Sequence, residues 1–158
     1  MIRTITCGLV LTLGLASGCT GTSLLVCAND LDGSEFGFTL TVPAEFTCSN
    51  VLPNPTSLAN VGYRNTAAGR TASVQVNSPQ NGSIGDGVDS EDLGDRTANG
   101  FTFERQKLTF EGIGVSYVGG ATLPGEGNIL FITVSGSEDS AELLTTLNAI
   151  IDSVQASS

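Results

Sequence analysis

The chain has 158 residues, no histidine, no tryptophan, four cysteines and a formal net charge of −10. Without histidine, Ser-His-Asp and Cys-His catalysis, histidine-based zinc sites and haem ligation by His are excluded. The negative field repels phosphate backbones and anionic head groups, so neither nucleic acid nor an anionic membrane surface is an expected partner.

Arg3 gives the start a positive charge, and the apolar run from Ile5 to Ala16 is too short to span a bilayer. Residues 1–18 therefore read as a cleavable export signal. The small residues Ala16-Ser17-Gly18 ahead of Cys19 resemble the lipobox of bacterial lipoproteins, which implies a diacylglycerol on Cys19 and attachment to the cell envelope. The family prefers Leu three residues before the cysteine, where this chain has Ala16. The same residues suit ordinary secretory cleavage, which would leave Cys19 as the first residue of a secreted protein. Cleavage leaves 140 residues with 16 acidic and five basic side chains, enough for one domain and no second core. Cys7 departs with the signal and Cys19 takes the lipid, so Cys27 and Cys48 remain as a pair for a disulfide in an oxidising compartment.

Residues 19–34 are expected to be an N-terminal arm, turn-rich from Asn29 to Ser34, with the globular domain over 35–155. From Phe36 to Val42 the apolar residues alternate, the signature of a half-buried strand that Pro43 ends. A loop follows over Ser49 to Ser57. Val61 and Tyr63 mark a second strand, and Ala72, Val74 and Val76 a third, joined as a hairpin through Thr66 to Arg70. Ser78 to Asp95 is poor in apolar residues and reads as a surface excursion with one helical turn around Ser90 to Leu93. Phe101, Phe103, Leu108 and Phe110 predict a strand, or a pair broken near Gln106, and Val115 and Tyr117 another. A flexible loop over Gly119 to Gly127 leads to Ile129–Val134, apolar throughout, as for a strand covered on both faces. Leu143, Leu144, Leu147, Ile150, Ile151 and Val154 recur at helical spacing, with Asp139 and Glu142 placed as a capping box. The fold class is α+β, a mostly antiparallel sheet covered by a C-terminal helix.

The strand ending in Thr41-Val42-Pro43-Ala44-Glu45-Phe46, the strand order and the closing Ile150-Ile151-Asp152-Ser153-Val154 resemble PsbP-like α/β/α sandwiches over about Glu35 to Val154. That resemblance implies a binding module rather than a catalyst. Members of the family bind partners as different as a photosynthetic complex and a small nuclear GTPase. The helix expected between the third and fourth strands is nearly absent here.

No catalytic residue and no cofactor are expected. Asp86, Asp89, Glu91, Asp92 and Asp95 could offer oxygen ligands to calcium, as could Asp30 to Glu35, but neither run has the twelve-residue loop with a closing glutamate. A solvated acidic loop is the alternative. Paired carboxylates would serve a glycoside hydrolase, yet there is no Trp to stack a sugar. Phe46, Tyr63, Phe101, Phe103, Phe110 and Tyr117 have strand spacing and are expected in the core. The leading expectation is a non-enzymatic, lipid-anchored envelope protein that binds a protein partner through loops at the end of its sheet. A small-ligand or calcium-binding envelope protein and a carboxylate hydrolase are the alternatives.

Overall fold

The computed structural model describes residues 25–51, 57–79 and 88–157. The signal, Cys19 and Asp86 lie outside these residues. Alternation around Leu31, with Asp30 and Asp32 turned to solvent, makes Asp30–Gly33 a strand, β1, where the turn-rich sequence had predicted none. A single 3-10 turn over Ser34–Phe36 follows, and Gly37 closes it at φ 85°, a left-handed conformation that glycine adopts without steric cost. The expected Phe36–Val42 strand is thereby shortened to Phe38–Thr41, β2.

The main sheet contains β3 (Thr47–Val51), β4 (Ala59–Asn65), β5 (Arg70–Asn77), β6 (Asp89–Ala98), β7 (Phe101–Phe110), β8 (Gly114–Thr122) and β9 (Ile129–Gly136). Helix α1 (Ala141–Ser153) and the two-residue strand β10 (Gln155–Ala156) complete the chain. The seven-stranded order is β3-β4-β5-β9-β8-β7-β6, and a smaller sheet has the order β1-β2-β10. Every pairing is antiparallel. The class is α+β, a mostly antiparallel sheet with a C-terminal helix.

The helical turn expected at Ser90–Leu93 is instead part of β6, an edge strand whose side chains are mostly exposed. Its polar sequence gives no buried face to read, but Asn99-Gly100 turns the chain with φ of 47° and 89°, the Asn-Gly signature of a tight hairpin. A bulge between Asp92 and Gly94 interrupts the β6–β7 ladder. Arg105 secures it, donating from Nε to Gly94 O at 3.1 Å, from Nη2 to Leu93 O at 2.9 Å and from Nη1 to Asn148 Oδ1 on α1 at 2.8 Å. β7 is one strand with no break at Gln106. Part of the expected glycine-rich loop is also strand, because β8 continues to Thr122.

One face of the main sheet carries α1. Leu143, Leu147, Ile150 and Ile151 are buried there against a floor that includes Val61, Val74, Phe103, Tyr117, Ile132 and Val134. The small sheet adds Leu31, Phe38 and Leu40 to the same core. Burial of each large side chain contributes on the order of 1.5–3 kcal/mol, so α1 and the floor stabilise each other. Phe110 is the expected core aromatic that falls outside: its even position in β7 turns it away from α1, and it is only half-buried. β9 is central in the sheet yet buried on one face only, with Ile129, Phe131 and Thr133 half-exposed. Among the described residues α1 is the one α-helix, and the opposite face carries none.

The core extends N-terminally beyond the expected boundary at residue 35. Leu25 and Leu31 are buried in it, and Cys27 and Cys48 form a disulfide with Cα atoms 5.7 Å apart. Tyr63 Oη donates to Ala28 O at 2.9 Å, and Asn29 Nδ2 donates to the carbonyls of Val42, Pro43 and Phe46 at 3.1, 3.1 and 2.8 Å. Thus the arm from Leu25 onward is an integral part of the domain.

Candidate functional site

The capping box is replaced by ion pairs. Ser140 is the N-cap without a side-chain cap bond. Asp139 instead accepts from Lys107 Nζ and Tyr117 Oη, both at 2.6 Å, and Glu142 pairs with Arg70. At the other end of α1, Arg96 holds Asp152 with two hydrogen bonds of 2.7 and 2.6 Å. Asn99 Nδ2 donates to the terminal carbonyls of Asp152 and Val154.

The hydrogen bond from Lys107, then that from Tyr117, holds the Asp139 carboxyl below its ordinary 3.8. The bond from Arg96 does the same for Asp152. A carboxylate with a lowered folded-state pKa adds stability above its unfolded pKa and loses it as pH falls through the folded value. Unfolding free energy is therefore expected to decline below about pH 4. The decline should be shallower in Asp139→Asn and Asp152→Asn, as read by urea titrations across the acid range. Identical acid limbs in all three proteins would count against these pairs.

The acidic run does not converge. Glu91 faces Lys107 across the ladder, 3.8 Å away, and strand alternation puts Asp89 on that same face. Past the Asp92/Gly94 bulge, Asp95 pairs with Glu104 on the opposite face. Asp92 Oδ1 is occupied by Gly94 N at 2.8 Å. In the other acidic run, Asp30 Oδ1 accepts from Thr41 Oγ1 and Asp32 Oδ1 from Ser34 N. Among the described residues no group of three or more His, Cys, Asp or Glu is placed to hold a metal.

What the fold does bring together is the end of the sheet where β9 begins and β8 stops. A cleft of about 550 Å³ opens there between the Ser34–Gly37 turn and the loop Pro124–Asn128, with Leu58 at its side. Both walls are held. Leu123 N donates to Asn128 O at 2.7 Å, closing the loop, and Ser157 N donates to Gly37 O at 3.1 Å, strapping the turn to the C-terminus. Pro124 lies over Gly37, where an added Cβ would meet its ring at 3.5 Å. Half-buried Phe36 and the 40% exposed Leu58 give the cleft apolar surface. Glu35 and Glu126 are exposed beside it.

Asn128 lines the cleft and is only 9% exposed. Its side-chain amide has no hydrogen-bond partner among the described residues. A buried amide left unpaired costs about 1–3 kcal/mol, so such groups are ordinarily satisfied. Asn60 Oδ1 is the one fully occluded side-chain atom without a partner among the described residues; the Asn128 amide keeps access to solvent, and the cleft provides it. No sequence pattern marked Asn128, because its burial and its missing partner exist only once β9 and the preceding loop are folded.

No protein-family model and no curated protein matches the chain. Among solved structures it is similar to a point mutant of a protein described as "Protein Mog1", at 11% identity and a TM-score of 0.48. The likeness covers 81% of this chain and 95% of that one. At this level it assigns neither family nor function.

Proposed function

We propose that the chain is an exported, lipid-anchored cell-envelope protein whose domain is a PsbP-like sandwich serving as a non-catalytic module. It binds a protein partner through the loop end of the main sheet. The observation that carries the reading is the cleft at that end, built from two secured walls and offering an unpaired, nine-tenths buried amide. Buried polar groups left open at a concave surface are the usual means of orienting a bound group. The disulfide at Cys27–Cys48 supports export, since such bonds persist in oxidising compartments. The Ala16 to Cys19 sequence supports the lipid.

Intact mass of the protein from its native membrane tests the anchor. The expected mass begins at Cys19, includes acyl chains and rises by two hydrogens on reduction. An unacylated mass would overturn the anchor. Photo-crosslinking groups at Leu58, beside the cleft, and at Ile113, in the turn at the far end of the sheet, test the surface. Crosslinks to one envelope protein from the Leu58 position alone are expected; equal yields from both would remove the loop end as the binding surface.

A further inference from the structure

We propose that the cleft between the Ser34–Gly37 turn and the Pro124–Asn128 loop receives a lysine or arginine side chain of the partner together with its flanking peptide group. This rests on the reading of the loop end as a partner-binding surface and names the chemistry it selects. Three features of the cleft converge on that ligand.

The first is charge. Glu126 stands exposed beside the opening, no basic side chain is among the described residues that line it, and the whole chain carries a net charge of −10. A cation is drawn toward such a surface, and an acidic group is repelled. The second is the apolar surface of Phe36, Leu58 and Pro124, which suits the aliphatic stem of a long basic side chain whose charged head stays near the rim.

The third is Asn128. An amide side chain presents both an acceptor and donors, the complement of a peptide group's N–H and C=O. A bare ammonium would use only its oxygen. Asn128 therefore favours a basic residue within a peptide over a free amine, while the Glu126 carboxylate serves both. At about 550 Å³ the cleft is within the range of small-ligand sites, so it accommodates a side chain with adjoining backbone.

The test uses the full chain, isotopically labelled, titrated with acetyl-Gly-Lys-Gly-amide, the same peptide with norleucine for lysine, and n-butylammonium. The expected result is saturable movement of the Asn128 side-chain amide and the Gly37 and Gly125 backbone signals with the lysine peptide. The norleucine peptide should leave them unmoved, and n-butylammonium should bind more weakly. Glu126→Gln is expected to weaken the lysine peptide roughly threefold, the scale of an exposed charge pair. Asn128→Leu should weaken it roughly tenfold by removing the hydrogen bonds. Asn128→Asp, which keeps the acceptor and adds a charge, should stay within about threefold of the parent.

Melting temperatures of the variants separate lost binding from lost folding, and the exposed Glu126 site gives a readout that does not depend on the buried one. Equal binding of the lysine and norleucine peptides, or no movement at Asn128, would overturn the proposal. Binding of n-butylammonium as tight as the peptide would overturn the assignment of the source to a protein. An unacylated native mass with intact lysine-peptide binding would remove the anchor and support the cleft; an acylated protein whose cleft ignores all three compounds would do the reverse.

Discussion

Replacing Leu147 by Ala is expected to lower the unfolding free energy by about 2–5 kcal/mol, the range for emptying a fully buried leucine site. Leu147 is 0% exposed and lies midway along α1, between Leu143 and Ile150 on the face that meets the main sheet. The floor beneath it belongs to hydrogen-bonded strands, which limits how far the structure can relax into the space. Domains of this kind hold only about 5–15 kcal/mol in total, so the loss takes a large share of the stability. Leu144, one position after Leu143, is half-buried at the edge of the same core, and its replacement should cost less. Urea unfolding of the two variants beside the parent measures both. Equal losses would mean that α1 is held by general apolar contact instead of by the specific row of four residues.

Removing the disulfide through Cys27→Ser with Cys48→Ser is expected to cost about 3 kcal/mol, the chain-entropy value for a loop of this size. The two cysteines are 21 residues apart in sequence. The closed loop contains β1, the Ser34–Phe36 turn and β2, so the cross-link restricts the unfolded chain across one wall of the candidate cleft. Leu25, at 2% exposure, and the Tyr63 hydrogen bond to Ala28 lie close to the bridge and resist its loss. Denaturation of the double variant under the same conditions as the parent gives the value. A loss below about 1 kcal/mol would show that the arm is secured chiefly by Leu25 and the three Asn29 bonds.

Elements with a one-sided apolar rhythm were legible in the sequence. β2, β4, β5 and α1 all alternate or recur at the spacing of their structure, and the core they form contains the residues that spacing selects. β6 was not, because an exposed edge strand has no buried face to produce a rhythm. Its signal lay at its end, in Asn99-Gly100, and in its pairing with the phenylalanine-bearing β7. β1 carries a single inward apolar side chain, Leu31, beside the buried but side-chain-less Gly33, too short a pattern to separate from a turn. The capping box expected from Asp139 and Glu142 does not form: Ser140 is the N-cap, and the two carboxylates go to longer-range partners, Lys107 and Tyr117 for Asp139 and Arg70 for Glu142.

The same distinction governs the sites. Local density made the acidic runs look like ion ligands, whereas β6 separates its carboxylates across two faces and β1 engages its own in hydrogen bonds. The candidate cleft draws Glu35, Leu58, Glu126 and Asn128 from three distant parts of the chain, and only the strand order places them together. Cys27 and Cys48 were legible by counting, once Cys7 was assigned to the expected signal and Cys19 to the expected lipid.

The bridge also fixes the route taken by mechanical force. A pull on the chain ahead of Cys27 passes through the sulfur atoms into Cys48 and so into β3, an edge strand of the main sheet. The β1–β2 ladder, which lies inside the covalent loop, is bypassed. While the bridge is intact, tension arriving from that side loads the seven-stranded sheet at its β3 edge and leaves the turn that walls the cleft unstretched. Once it is reduced, the same tension falls first on the Tyr63–Ala28 and Asn29 hydrogen bonds and then on β1, so the oxidation state of one pair of sulfurs decides whether a tug reaches the cleft.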